Sequence, residues 1–279
     1  MGLSLFGGTG FVGSEFYKSY HGYTYPITRI PRYSRRAEVD TDILYMISTT
    51  HNYHVFDDPT LDVETNLKVL TETLRSWKNL NSSATFNFVS SWFVYGDVPM
   101  PVIEESPCDP RGFYSITKRA AEQLLISFAQ THNLNYRIMR LGNVLGRNDK
   151  GVSAKKNALQ YLINKMKDGE KIDVYDGGLF RRNYIAVSDC VRAIKTVVDK
   201  GAYNTIYNVG TSRSYVFKDM LDTAAEKLGI PEDPYNFIPQ KDFHKAVQVK
   251  DFTMDTSRLH RLGFHAECES EEELIDSIL

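Results

Sequence analysis

The chain has 279 residues, with 33 basic against 35 acidic side chains and a formal net charge of −2, a balance that argues against a predominantly nucleic-acid-binding protein. Hydrophobic residues make up 42%, aromatic residues 12% and charged residues 24%, which excludes disordered and collagen-like chains. No apolar run approaches the roughly 18–20 residues that span a bilayer, and the Met1–Phe6 opening lacks a charged n-region, so a cytosolic protein with no membrane partner is expected.

A length near 280 residues accommodates one large α/β domain or two unequal lobes. Cys108, Cys190 and Cys268 are odd in number and widely spaced, which suits neither a disulfide framework nor a zinc knuckle. His51 and His54 are the closest histidine pair and carry no further ligand pattern, so no metal is expected.

In chain order, the apolar run Gly2–Phe6 meets Gly7-Gly8-Thr9-Gly10-Phe11-Val12-Gly13, and a helix over Ser14–Tyr20 follows. Tyr23–Arg29 and Ile43–Ile47 read as two strands separated by a basic loop holding Arg32, Arg35 and Arg36. Leu61, Leu67, Leu70 and Leu74 recur at helical spacing between Thr60 and Trp77, and Ala84–Val89 forms the next strand. A long helix over Tyr114–Thr131 leads into a strand at Tyr136–Met139. This alternation implies a parallel sheet. Beyond residue 143 the pattern becomes irregular: a polar loop over Arg147–Lys156, a helix near Asn157–Lys167, a Gly177-Gly178 turn and a strand at Ile206–Val209. Helices near Tyr215–Leu228 and Glu271–Leu279 complete it, with the acidic stretch Glu267–Glu273 read as a solvated helix start.

The expected fold is α/β, a Rossmann-type doubly wound parallel sheet with a smaller interleaved C-terminal substrate lobe. Residues 1–142 with 183–210 form the dinucleotide-binding part and 143–182 with 211–279 the substrate lobe.

Gly7, Gly10 and Gly13 stand three apart, directly after the first strand and at the start of the first helix. A turn without side chains there lets backbone N–H groups and the helix N-terminus approach a pyrophosphate. This is the context of a dinucleotide fingerprint, and it assigns Gly7, Gly10, Phe11, Val12 and Gly13 to a cofactor. The acidic residue that would hold a ribose 2′-hydroxyl about 20 positions on is missing. Arg29, Arg35 and Arg36 stand there instead, and guanidinium groups suit a 2′-phosphate, favouring NADP over NAD.

Tyr114 and Lys118 are four apart, hence on one face of a helix. An ammonium beside a phenol of ordinary pKa about 10 favours the phenolate, and a phenolate can take a proton from a sugar hydroxyl. Upstream, Phe88-Val89-Ser90-Ser91 places a serine pair at the carboxyl end of a strand, where α/β sheets hold their ligands.

With these residues the chain resembles the extended short-chain dehydrogenase/reductase family of nucleotide-sugar epimerases and dehydratases, over nearly its whole length. The resemblance also uses Asn66, Val94-Tyr95-Gly96, Arg140-Leu141-Gly142-Asn143-Val144-Leu145-Gly146, Arg182-Asn183-Tyr184-Ile185 with Val187 and Asp189, and Tyr207-Asn208-Val209-Gly210. It implies that Ser91 holds the reacting oxygen, Tyr114 is the acid/base, and Lys118 binds the nicotinamide ribose and lowers the Tyr114 pKa. Asn143 and Arg182 would contact the substrate diphosphate. It also implies a homodimer through the helix beginning at Tyr114 and the helix before it.

Two departures narrow the expectation. Family members that dehydrate a hexose carry an acidic pair just after the catalytic serine or threonine, and this chain has Trp92 and Phe93, which speaks against a 4,6-dehydratase. The short stretch between the second strand and Ile43 leaves out the usual strand with its adenine-contacting aspartate. The expected activity is a nucleotide-sugar epimerase acting by transient oxidation at a sugar carbon, C4. The alternatives are an NADPH-dependent nucleotide-4-keto-sugar reductase and a non-catalytic dinucleotide-binding sensor or scaffold.

Overall fold

A computed structural model describes residues 2–23, 25–38, 40–80, 83–230, 233–247 and 251–279. The first half runs β1 (Gly2–Phe6), α1 (Phe11–Tyr20), β2 (Ile27–Ile30), β3 (Thr41–Tyr45), α2 (His54–Asp57), α3 (Thr60–Val63), α4 (Val69–Leu80), β4 (Thr85–Ser91), α5 (Phe113–His132) and β5 (Asn135–Leu141). The second half adds β6 (Asn143–Leu145), α6 (Ala158–Lys167), β7 (Ile172–Tyr175), β8 (Arg181–Arg182), β9 (Tyr184–Ala186), α7 (Val187–Lys200), β10 (Thr205–Val209), β11 (Tyr215–Val216), α8 (Phe217–Lys227), β12 (Tyr235–Ile238), α9 (Asp242–Val247), α10 (Ser257–His260) and α11 (Glu271–Asp276).

Six parallel strands form one sheet in the order β10-β5-β4-β3-β1-β2, the doubly wound arrangement expected. Its central strands are buried on both faces, so they read as continuous apolar runs rather than alternating ones, while the edge strand β2 exposes Thr28 and Arg29. On one face Leu3, Leu5, Leu44 and Met139 pack against Phe16 of α1 and Ile194 and Val197 of α7. On the other, Phe6, Tyr45, Phe86 and Ile138 pack against Leu74 and Trp77 of α4 and Leu125 of α5. The strand order reverses between β1 and β3, and ligands of such sheets bind at the carboxyl ends beside that switch point. The 31–38 loop contains no strand, which leaves β2 as the sheet edge, in agreement with the shortness of that stretch.

Leaving the sheet after β5, the chain builds a second core from Leu159 and Ile163 of α6, Ile172 and Val174 of β7, Met220 and Leu221 of α8 and Leu274 of α11. Tyr184 and Ala186 of β9 join this core, and β9 pairs with β6. Among the described residues, no helix is long and apolar enough to cross a membrane.

Several elements differ from the sequence reading. Helix α7 was not expected, although Cys190, Val191, Ile194, Val197 and Val198 form a buried helical stripe. The expected Tyr23–Arg29 strand pairs only over β2, and Thr24 lies outside the described residues. The last helix stops at Asp276; at its start the Ser270 hydroxyl and the Glu273 carboxylate form a reciprocal capping box. Between Thr60 and Leu80 the helix is interrupted by a π turn over Glu64–Lys68. Leu61 is left exposed, while Asp62 and Asn66 take the buried positions. The period placed leucines inward, but near the sheet's carboxyl edge the helix has polar partners to satisfy.

The element that carries Tyr114 is held by a buried ion pair. Arg140 of β5 donates from Nε to Glu122 Oε1 at 3.0 Å and from Nη2 to Oε2 at 2.8 Å, with both side chains almost fully buried. Replacing Arg140 with Met should destabilise the protein by about 3–5 kcal/mol, because it leaves a buried carboxylate whose remaining ion-pair partner is the partly exposed Arg119. Adding Glu122→Leu should recover most of the loss; urea denaturation of the single and double variants measures both, and a single variant within about 1 kcal/mol of the parent would contradict this account.

Candidate active site

Ser91 ends β4, and its Oγ accepts from the Phe93 amide at 3.3 Å, capping a short 3-10 turn over Trp92–Val94. Tyr114 lies in the first turn of α5, where Asn52 Oδ1 accepts from the Ser115 amide at 3.2 Å. The Phe93 ring meets the Tyr114 ring edge-on at 6.0 Å between centroids, and the Ser91 and Ser48 hydroxyls line the cleft with it and favour its phenolate. Ser91, Tyr114 and Lys118, separated by up to 27 positions in sequence, thus line one cleft of about 790 Å³.

Burial dominates the electrostatics of this group. It raises the Tyr114 pKa, with the Ser91 and Ser48 hydroxyls pulling the other way. It pushes Lys118 down to about 7, opposed by Glu122. Lys118 Nζ donates to the Val89 carbonyl at 2.8 Å and sits 4.2 Å from the centre of the Phe88 ring. The expectation that the lysine lowers the tyrosine pKa therefore finds no counterpart in this arrangement, because desolvation outweighs the one-turn spacing.

Gly7, Gly10, Phe11, Val12 and Gly13 line the same cleft. Gly7 has φ +80°, and a Cβ at Gly13 would come within 2.3 Å of the Gly7 carbonyl oxygen, so the turn packs flat against the helix only with glycine at both places. No side chain caps α1 and its first turn has no acidic residue, which leaves a helix N-terminus suited to an anion. These residues fit a dinucleotide pyrophosphate. Arg29 neighbours the turn, with its stem against Gly8 and its guanidinium 4.3 Å over Tyr17. Arg35 is drawn away: its Nε donates to Glu72 at 2.8 Å, on α4. Neither arginine is among the residues lining the cleft.

The opposite end of the cleft is built by the second lobe. Asn143 donates to the Asn183 carbonyl at 3.0 Å. Arg182 lies between the Trp92 and Phe180 rings, at 5.6 and 4.5 Å, and burial pushes its pKa down to about 10. Asn66 is buried rather than on a helix surface. It accepts from the Thr49 amide at 2.9 Å and donates to Thr117 at 2.9 Å, so the π turn ties the end of β3 to α5.

The sequence reading missed Ser48, Thr49, Asn52 and Asp62. The position of Ser48, Thr49 and Asn52 just after β3 was the available signal, since a strand's carboxyl end is where ligands sit, whereas Asp62 lies on α3 and nothing in the spacing singles it out.

Lys118 carries a sign-determined prediction. Its folded pKa lies below the ordinary value of about 10.4, so stability attributable to it falls as pH drops from about 10 to 7 and then levels. Lys118→Met should be more stable than the parent at pH 7, and the difference should shrink by pH 10. Urea midpoints at both pH values measure this, and a constant difference would contradict the buried-lysine account.

Comparison with known proteins matches residues 37–210 to the family described as "NAD dependent epimerase/dehydratase family". Relatives include a dTDP-glucose 4,6-dehydratase of Streptomyces griseus, 25% identical over 233 residues that span 82% of this chain and 68% of that enzyme. Another is a GDP-6-deoxy-D-mannose reductase of Pseudomonas aeruginosa, 26% identical over 207 residues, 71% of this chain and 67% of the relative. A solved UDP-glucose 4-epimerase of Thermotoga maritima, with UDP-glucose, superposes with a TM-score of 0.86 at 21% identity, covering 99% of this chain and 97% of that one. With a doubly wound sheet, a glycine turn at its switch point and a family match over more than half its length, this chain belongs to the NAD-dependent epimerase/dehydratase family.

Proposed function

We propose that the protein is a nucleotide-sugar epimerase that oxidises a sugar carbon, C4, transiently and reduces it from the other face. The observation that carries this reading is the convergence of Ser91, Tyr114 and Lys118 in one cleft with the glycine turn at one end and Arg182 at the other. In this reading residues 1–142 with 183–210 hold the cofactor and 143–182 with 211–279 hold the nucleotide sugar.

A bound nicotinamide dinucleotide supplies the hydride acceptor and donor. The chain's own residues do the rest. Ser91 holds the reacting oxygen, and Tyr114 takes the hydroxyl proton and returns it to the oxygen in the second half; burial disfavours its phenolate, and the positive charge of a bound oxidised nicotinamide would offset that penalty. Lys118 holds the ribose. Arg182 and Asn143 hold the diphosphate, with Arg182 partly desolvated by its aromatic neighbours and so a stronger partner for an anion. Trp92 and Phe93 occupy the positions where a dehydratase carries its acid and base, and neither ring can titrate, which supports epimerisation over 4,6-dehydration.

A second reading is an NADPH-dependent 4-keto-sugar reductase. Arg29 beside the glycine turn favours it, because a guanidinium there suits a 2′-phosphate, and the reductase relative is in keeping with it. Arg35, engaged by Glu72, contributes to that preference only by exchanging its partner.

Leu61 and Val63 of α3 and Phe113, Ile116 and Leu124 of α5 are exposed apolar side chains, and they support a homodimer through these helices. Light scattering at micromolar concentration should give twice the chain mass, and Ile116→Glu with Leu124→Glu should halve it. A monomeric parent would end the dimer reading.

Purifying the protein without added cofactor, denaturing it and identifying the released nucleotide tests the main reading. Stoichiometric NAD(H) supports the epimerase. An empty protein that prefers NADPH, with the preference lost in Arg29→Ala, supports the reductase. Tyr114→Phe should lower turnover at least about 10²-fold while leaving cofactor binding unchanged. Full activity in that variant, or no binding of either dinucleotide, would overturn the assignment.

A further inference from the structure

The segment after β3 lines the cleft beside Tyr114: Ser48 donates to Asn66 at 3.1 Å, and Asn52 accepts from the Ser115 amide in the first turn of α5. His51 lies between them and lines the cleft. Its Nδ1 accepts from the Tyr53 amide at 3.3 Å, so in the neutral ring the proton resides on Nε2. Burial, His54 and Lys155 favour that neutral form, opposed by Asp62.

Behind His51 stands an arrangement that the proposed mechanism does not use. The His51 and His54 rings pack at 4.1 Å between centroids. His54 Nδ1 is 3.2 Å from Asp62 Oδ1, which also accepts from the Thr49 hydroxyl. Asp62 is fully buried, and its Oδ2 has no partner among the described residues. Burying a half-satisfied carboxyl group is destabilising, whereas its bond to His54 Nδ1 orients that ring and so the surface on which His51 rests. Trp92 and Phe93, which line the same cleft, offer few polar groups.

We propose that His51 is a substrate-contacting residue that donates a hydrogen bond to the sugar of the bound nucleotide sugar, with Asp62 and His54 as the positioning pair behind it. The inference rests on the nucleotide-sugar reading above. It assigns to the 48–52 segment the hydroxyl recognition that the Trp92 and Phe93 rings cannot supply, and it makes that segment a determinant of which sugar is accepted.

Calorimetric titration of the full chain tests it, with UDP-glucose, dTDP-glucose and GDP-mannose each compared with its own nucleoside diphosphate. His51→Phe keeps the ring on His54 and removes the donor. For the sugar nucleotide that the parent binds, this variant should weaken binding roughly 3- to 10-fold, as expected for one neutral hydrogen bond, and leave the diphosphate unchanged. Asp62→Asn should give a smaller loss with the same selectivity, and it decides the matter if His51→Phe does not fold. Equal weakening of sugar nucleotide and diphosphate, or no weakening, overturns the role of His51 while the nucleotide-sugar reading stands. A parent that binds none of the six probes overturns both.

Discussion

The ion pair between Arg140 and Glu122 fixes the geometry on which the site depends. Glu122 is one helical turn beyond Lys118 and two beyond Tyr114, so these three side chains share a face of α5. Arg140 lies on β5 opposite Ser90 in the ladder, and Leu141 lies opposite Ser91. A bidentate bond between Glu122 and Arg140 therefore locks the rotation of the helix to the register of the strands. Arg140 also donates to the Glu104 carbonyl at 3.2 Å and lies over the Tyr95 ring, so few of its polar groups are left without a partner. Burial alone would raise the Glu122 pKa, but its bonds to Arg140 hold it below the ordinary carboxylate range. An apolar replacement of equal volume could match this pair in stability, but it would not specify rotation and register together.

The cleft lining is of two unlike kinds. Trp92 stacks on Phe93 at 4.0 Å and packs tilted against Phe252 at 4.4 Å, so this part of the lining is apolar. Ser48, Thr49 and Asn52 supply polar groups, held by Asn66 and by the first turn of α5. Exclusion of water explains the electrostatics. Tyr114 is pushed up and Lys118 down because each is penalised in its charged form. The groups that offset the penalty are hydroxyls aimed at the phenol rather than the lysine charge.

How much of this was legible in the sequence follows from how local each signal is. The glycine turn and the Tyr114–Lys118 pair are local patterns, and the structure brings both to the same cleft as Ser91. The central sheet strands were legible as apolar runs because both faces are buried. Helix α7 carries as regular a stripe as any element, yet it follows directly on the second-lobe turns, where the alternation had already become irregular. The inward position of Asn66 and Asp62 was not legible, because a π turn is not marked by composition and the leucines beside them gave a competing stripe. The departure of Arg35 to Glu72 was likewise hidden, since its partner lies 37 positions away.

The cofactor end of the cleft follows from a deletion in connectivity. With β2 joined to β3 by a short loop, no further strand among the described residues extends the sheet beyond β2, and the cradle consists of the glycine turn, the uncapped N-terminus of α1 and the ends of β1 and β3. All of these are backbone features that recognise a pyrophosphate by hydrogen bonding and dipole, so they do not discriminate between dinucleotides. Discrimination falls to side chains on the exposed edge. There Arg29 is already oriented by stacking on Tyr17, which lowers the entropy lost when its guanidinium engages an anion. On the proposed reading, the choice of dinucleotide would therefore rest on one preoriented arginine, apart from the group of Ser91, Tyr114 and Lys118 that would act on the sugar.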